Sequence, residues 1–141
     1  MKKSIMCMLV LSNLLMADFV RDNTKNVVKD TASCLMWQDN VDSKTVRKKW
    51  IDAIEYCENL SLAGFDDWRL PNFNELYSIG DRSRYAPAIQ IAFSNVVSDG
   101  YWSATTTGHT SVAWVVDFDY GNDHGGYKTG DYYVRCVRDG Q

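Results

Sequence analysis

The sequence is poor in the features that would name a chemistry. It has no basic excess: 15 Lys plus Arg stand against 18 Asp plus Glu, a net charge of −3. That removes the positive field on which non-specific nucleic-acid binding depends, and it disfavours anionic partners generally. Only two histidines occur, His109 and His124, each in a glycine-containing stretch, and no Cys or His pair has zinc-ligand spacing. Nine glycines with no Gly-X-Y period exclude a collagen-like stalk. No apolar run reaches the roughly 20 residues that span a bilayer.

What is present is globular: 45% apolar and 13% aromatic residues in 141, enough for one modest domain. At the start, Met1, Lys2 and Lys3 precede an apolar stretch from Ile5 to Met16, and Ala17 is followed by polar sequence. This is the layout of a secretory signal peptide over residues 1–17, with a single domain over 18–141. Cleavage after Ala17 loses Lys2 and Lys3 and no acid, so 15 basic residues become 13 against 18 acidic and the net charge moves from −3 to −5. The expected product is exported, periplasmic or at the cell surface, without a transmembrane segment. Cleavage also removes Cys7 and leaves Cys34, Cys57 and Cys136, which permits one intramolecular bridge and one odd thiol.

Apolar positions Val46, Trp50, Ala53, Ile54, Cys57 and Leu60 recur at steps of three and four, predicting an amphipathic helix from Val46 to Leu60. Asn72 with Glu75 forms a capping-box pattern that opens a short second helix, and Pro71 closes the segment before it. Asp18 to Asn40 reads as one or two short strands and a turn. From Ala113 to Tyr120 alternation predicts a strand buried on one side, with Trp114, Val116, Phe118 and Tyr120 inward. Glycines 121, 125, 126 and 130 then mark a turn-rich connection, and Tyr132 to Arg138 reads as a last strand with Cys136 inward. A helix carrying Cys57 packed on that strand brings Cys57 and Cys136 within bridging range. These elements define an α+β fold: a small twisted antiparallel sheet with one longer and one shorter helix.

Five segments in order, LMWQ (Leu35–Gln38), DWRLPNFNEL (Asp67–Leu76), YWSATT (Tyr101–Thr106), AWVVDFDYG (Ala113–Gly121) and YYVRCVR (Tyr132–Arg138), resemble the C-terminal domain family of the Legionella collagen-like protein. The resemblance implies a C-type-lectin-like fold related to the formylglycine-generating sulfatase-modifying domains, in which a disulfide commonly joins the first helix to the last strand. It also makes Trp68, Arg69, Leu70, Pro71, Glu75, Trp102 and Trp114 motif residues, and the tryptophans 68, 102 and 114, which could stack on a sugar ring, are assigned to the core. The sulfatase-modifying relatives use a late pair of active-site cysteines, whereas Cys136 is the one late cysteine here, so that activity does not carry over.

Arg69 and Glu75 could form a catalytic pair, but helix capping accounts for Glu75 without chemistry. Asp117, Asp119, Asn122 and Asp123 are the weak calcium candidate; a hairpin turn accounts for the same letters, and no cofactor is required. Cys34 is either inert or joins a second chain. The remaining candidate is a ligand surface of Tyr120, Asn122, Asp123, His124, Tyr127, Tyr132 and Tyr133, with Tyr85 and Tyr101 earlier, because loops rich in such residues suit adaptable polar recognition. The sequence therefore points to a non-enzymatic recognition domain for a glycan or an envelope or extracellular protein. The alternatives are a structural subunit of an envelope assembly, or an enzyme using Glu75, Cys34 or a histidine.

Overall fold

The computed structural model describes residues 18–140; the signal-peptide reading of residues 1–17 lies outside them. Two sheets and two helices make up the α+β architecture. Strands β1 (Phe19–Asp22), β2 (Val27–Asp30) and β3 (Leu35–Gln38) follow one another as antiparallel hairpins, so three strands stand where one or two were expected. A 3₁₀ turn at Val41–Lys44 leads to β4 (Arg47–Lys48), then α1 (Trp50–Glu58) and α2 (Phe73–Ser78). The second half supplies β5 (Gly100–Thr106), β6 (Val112–Asp117), β7 (Asn122–Tyr127), β8 (Tyr132–Tyr133) and β9 (Val137–Asp139). One sheet has the order β1-β2-β3-β9 and the other β4-β8-β5-β6-β7.

The first helix starts at Trp50, four residues later than its apolar periodicity suggests. Residues 47 and 48 pair with Tyr133 and Tyr132, and the Trp102 indole donates to the Lys48 carbonyl at 2.8 Å, so that stretch of backbone is held extended. The second helix begins at the expected cap. The Asn72 side chain accepts from the Glu75 N–H, and the Glu75 carboxylate accepts from the Asn72 N–H, each at 2.9 Å.

Three strand expectations change, for one physical reason: this chain packs layers on both faces of its sheets. The strand expected to run to Tyr120 stops at Asp117, and it is buried on both sides. Ala113 and Val115 join Val27, Met36, Ala53, Cys57, Trp68, Leu70, Trp102, Val134 and Cys136 in one apolar cluster next to α1. Val116 and Phe118 join Val28, Trp37, Leu76, Ile79, Ile89, Phe93, Tyr101 and Val137 in another next to α2. Each fully buried large apolar side chain in these clusters contributes about 1.5–3 kcal/mol. Second, the glycine-rich connection contains β7, paired with β6 over its whole length. Its glycines are needed by that packing: a Cβ on Gly126 would lie 2.8 Å from both Val115 and Tyr132 side chains. Third, the last strand is divided. β8 belongs to one sheet and β9 to the other, and Val134, Arg135 and Cys136 cross between them with no exposure.

That crossing segment delivers Cys136 to α1. Cys57 and Cys136 form a disulfide with a Cα–Cα distance of 5.5 Å, closing 79 residues of chain. The odd thiol expected at Cys34 is a correction: Cys34 is disulfide-bonded too, and no described cysteine is free.

Candidate functional site

The motif charges are paired with one another, although Arg138 Nη1 is buried without a hydrogen-bond partner among the described residues. Arg69, just before α2, donates from Nη1 and Nη2 to the two oxygens of Glu75 at 2.7 and 2.8 Å, and from Nη2 to Asp139 at 2.9 Å. Burial alone would push the Glu75 carboxyl up, but the Arg69 guanidinium and the Asn72 N–H outweigh it and hold the carboxyl below its ordinary value. Arg138 forms a second two-point pair with Asp67, at 2.6 and 3.0 Å. In the same motif Trp68 is buried, its indole donating to the Phe65 carbonyl at 3.1 Å, and Leu70 and Pro71 are buried beside it. Trp102 is buried as well.

A larger polar cluster lies in the interior. Asp39, without exposure, accepts from Arg135 at 2.8 Å, from the backbone N–H groups of Ser94 and Asn95 at 2.9 and 3.1 Å, and pairs with Arg21. Arg135, equally buried, also donates to the carbonyls of Gln38 and Asn95, both at 2.6 Å, and lies over the rings of Phe93 and Tyr101. Burial draws its guanidinium below the ordinary value, opposed by Tyr101. Sequence reading missed this cluster. The signal available was Arg135 at a strand position alternating with Tyr133 and Val137, and an aspartate directly after the apolar LMWQ segment.

The expected ligand surface is divided by the pleat of β7. His124 faces Tyr132, ring centres 5.8 Å apart, and Tyr132 packs edge-on against Trp102 at 4.7 Å. Asp123 and Tyr127 point to the opposite face, as odd-numbered neighbours of His124 must. Tyr133 turns away from Tyr132 onto Tyr101 and under the Arg47 guanidinium. Tyr101 is fully buried, its hydroxyl donating to the Ser43 carbonyl at 2.7 Å, so it leaves the surface altogether. Tyr120 is exposed at the β6–β7 turn; Tyr85 is exposed too, and the same turn's Asp119 carbonyl accepts from the Ala86 N–H at 2.7 Å. Asn122 is exposed at the start of β7.

The calcium candidates serve that turn. Asp117 accepts the Asp119 N–H on its side chain at 2.8 Å and the Gly121 N–H on its carbonyl at 2.9 Å, with Gly121 at φ +77°. Among the described residues no group of three or more His, Cys, Asp or Glu side chains is placed to hold a metal ion.

Two partly open features remain. On the α2 side of β6, Trp114 is half-buried rather than in the core with Trp68 and Trp102, and packs against Phe73 with ring centres 5.4 Å apart. Phe73 meets Tyr77 at the same distance, and the Arg82 guanidinium caps Tyr77 at 3.6 Å. All three rings are half-buried, and β7 places Gly125, which has no side chain, directly opposite Trp114. The second is an open depression of about 260 Å³ along α1, lined by Lys48, Asp52, Glu55, Tyr56 and Asn59. Burial pushes the Tyr56 hydroxyl up to about 12. It donates to Asp42 at 3.0 Å and accepts from Gln38 at 3.1 Å.

Together these features define a small α+β domain with two sheets, a helix-to-crossing-segment disulfide and internally paired charges. The chain belongs to the Lcl C-terminal domain family, whose model matches residues 26–138. None of the curated proteins matches it. Among the described residues no helix is long and apolar enough to cross a membrane.

Proposed function

We propose that this chain is an exported, non-enzymatic recognition domain with a C-type-lectin-like fold, which binds a glycan or an envelope or extracellular protein. The observation that carries the reading is the half-buried strip Trp114–Phe73–Tyr77 on the α2 side of β6. Aromatic rings held rigidly on a helix and a strand give large contact area at low entropic cost, and stack on sugar rings or apolar side chains alike. Asp123 and Tyr127, exposed on the same face of β7, supply polar groups at its rim. The family membership and the disulfide from α1 to the crossing segment support the fold assignment. The carboxylates best placed for acid–base work, Glu75 and Asp39, are already committed to arginines and backbone N–H groups, which favours recognition over catalysis.

The test is a glycan array and a pull-down from envelope extract, with the wild-type chain and Trp114→Ala side by side, folding of the variant checked by its thermal melt. A ligand whose affinity falls about tenfold or more in Trp114→Ala supports the reading, since loss of one stacking ring is worth ~1–3 kcal/mol. Two empty screens, or binding indifferent to Trp114→Ala, would overturn it.

A further inference from the structure

The aromatic strip beside α2 ends in a charge. Phe73 and Tyr77 lie one turn apart on α2, so the rings run Trp114, Phe73, Tyr77. The last ring carries the Arg82 guanidinium, whose central carbon is 3.6 Å from the ring centre. That is van der Waals contact, and it covers one face of Tyr77.

Two glycines make room for this placement. A Cβ on Gly121 would stand 3.1 Å from the Arg82 Cγ, and a Cβ on Gly80 would stand 3.4 Å from both Nη atoms. The arginine therefore lies down along the backbone of the β6–β7 turn and of the segment after α2. Little else holds it. Arg21, Arg69, Arg135 and Arg138 each pair with a carboxylate, and Arg47 donates to the Asp131 carbonyl. Among the described residues the Arg82 side chain makes no hydrogen bond and no ion pair, and it is exposed. A cation–π contact at an exposed site is weak, so the guanidinium is in place but lightly held.

We infer that Arg82 is a displaceable lid on the strip: a ligand group that stacks on Tyr77 takes the place of the guanidinium, which swings out into solvent. This rests on the recognition reading of Trp114, Phe73 and Tyr77, and adds the regulation of that site. The guanidinium marks the Tyr77 face as one that accepts a flat group, and it competes with any other that comes there. An exposed contact of this kind favours the closed lid by about two- to fivefold. The open fraction is then roughly one third to one sixth, and the apparent affinity for a ligand that needs Tyr77 is reduced about three- to sixfold.

NMR of the full chain reads the lid directly, because the Tyr77 ring shifts the Arg82 Cδ protons upfield while the two are stacked. The probes are long enough to span three rings: cellotriose for a glycan, and the blocked peptide Ac-Trp-Gly-Trp-NH2 for a protein, each titrated through the millimolar range. The expected result is that a probe which moves the Trp114 indole signal also returns the Arg82 Cδ protons to their ordinary positions. The same probe should bind about three- to sixfold tighter to Arg82→Ala. Arg82→Lys, which keeps the charge but not the planar fork, should fall between Arg82→Ala and the wild type. If Arg82→Ala melts sharply lower, the Arg82 signal of the wild-type chain decides. A probe that moves Trp114 while Arg82 stays shifted, or an affinity in a folded Arg82→Ala no higher than in the wild type, would overturn the lid and leave the recognition reading standing. Silence of Trp114 toward both probes would overturn the two together.

Discussion

Replacing Asp39 by alanine probes the interior of this protein more sharply than any surface change. The carboxylate has no exposure and holds four groups: Arg135, Arg21, and the N–H donors of Ser94 and Asn95. Removing it leaves a guanidinium in the core without its counter-charge and two backbone donors unpaired. Breaking a buried pair in this way costs about 3–5 kcal/mol, against the roughly 5–15 kcal/mol that a domain of this size has in total. At about 3–5 °C per kcal/mol, the expected fall in melting temperature is roughly 9–25 °C. Arg135→Met should cost less, because Asp39 keeps Arg21 and both N–H donors. The double variant Asp39→Ala with Arg135→Met should then be milder than the sum of the singles by about 1–3 kcal/mol, since no charge is stranded. Urea unfolding of the four proteins at neutral pH measures each term. A cost below about 1 kcal/mol for Asp39→Ala, or strict additivity in the cycle, would refute the assignment of this cluster as the tie between β3, the 93–96 loop and the crossing segment.

Two further outcomes are expected. Converting both Cys57 and Cys136 to alanine should lower stability by up to about 4.5 kcal/mol, the loop-entropy value for the 79 residues closed; a loss under about 1 kcal/mol in denaturant titration would place the constraint elsewhere. The Glu75 carboxyl lies below its ordinary 4.5 in the folded chain, so its contribution is complete above that value and disappears as pH falls through the lowered one. Melting temperature should therefore decline below about pH 4.5, and the decline should be shallower in Glu75→Gln.

Much of this fold can be read locally. The α2 cap needs nothing beyond Asn72 and Glu75, because a capping box closes within four residues. The inward face of α1 follows from apolar spacing, and it was enough, with a strand phase, to pair Cys57 with Cys136. Strand alternation was informative about β6 but misleading about its surroundings. Val115 and Val116 are both buried because helices and strands lie on both sides, a fact of layering that no period of two expresses. The glycine-rich stretch from 121 to 130 looked like a connection because glycine has low strand propensity. Residues 122–127 of it form a strand, in which Gly126 leaves room for the side chains of Val115 and Tyr132.

The candidate site shows the same division. The sequence clustered Tyr120, His124, Tyr127, Tyr132 and Tyr133 by proximity along the chain; the pleat of β7 and the change of sheet after β8 send them in different directions. Phe73, Tyr77, Arg82 and Trp114, spread over some forty residues, meet instead.

The sequence by itself determined the secondary-structure class, the family, the capped helix and the bridging cysteines, since each depends on spacing within a few turns of chain or on a recognisable string of residues. Tertiary structure alone decided that Arg135 and Asp39 meet in the core, that the last strand serves two sheets, and that β7 is the outer strand of its sheet among the described residues. Those depend on which segments lie across from one another, and burial of a charge is set by its partner across the fold, not by its neighbours in the chain.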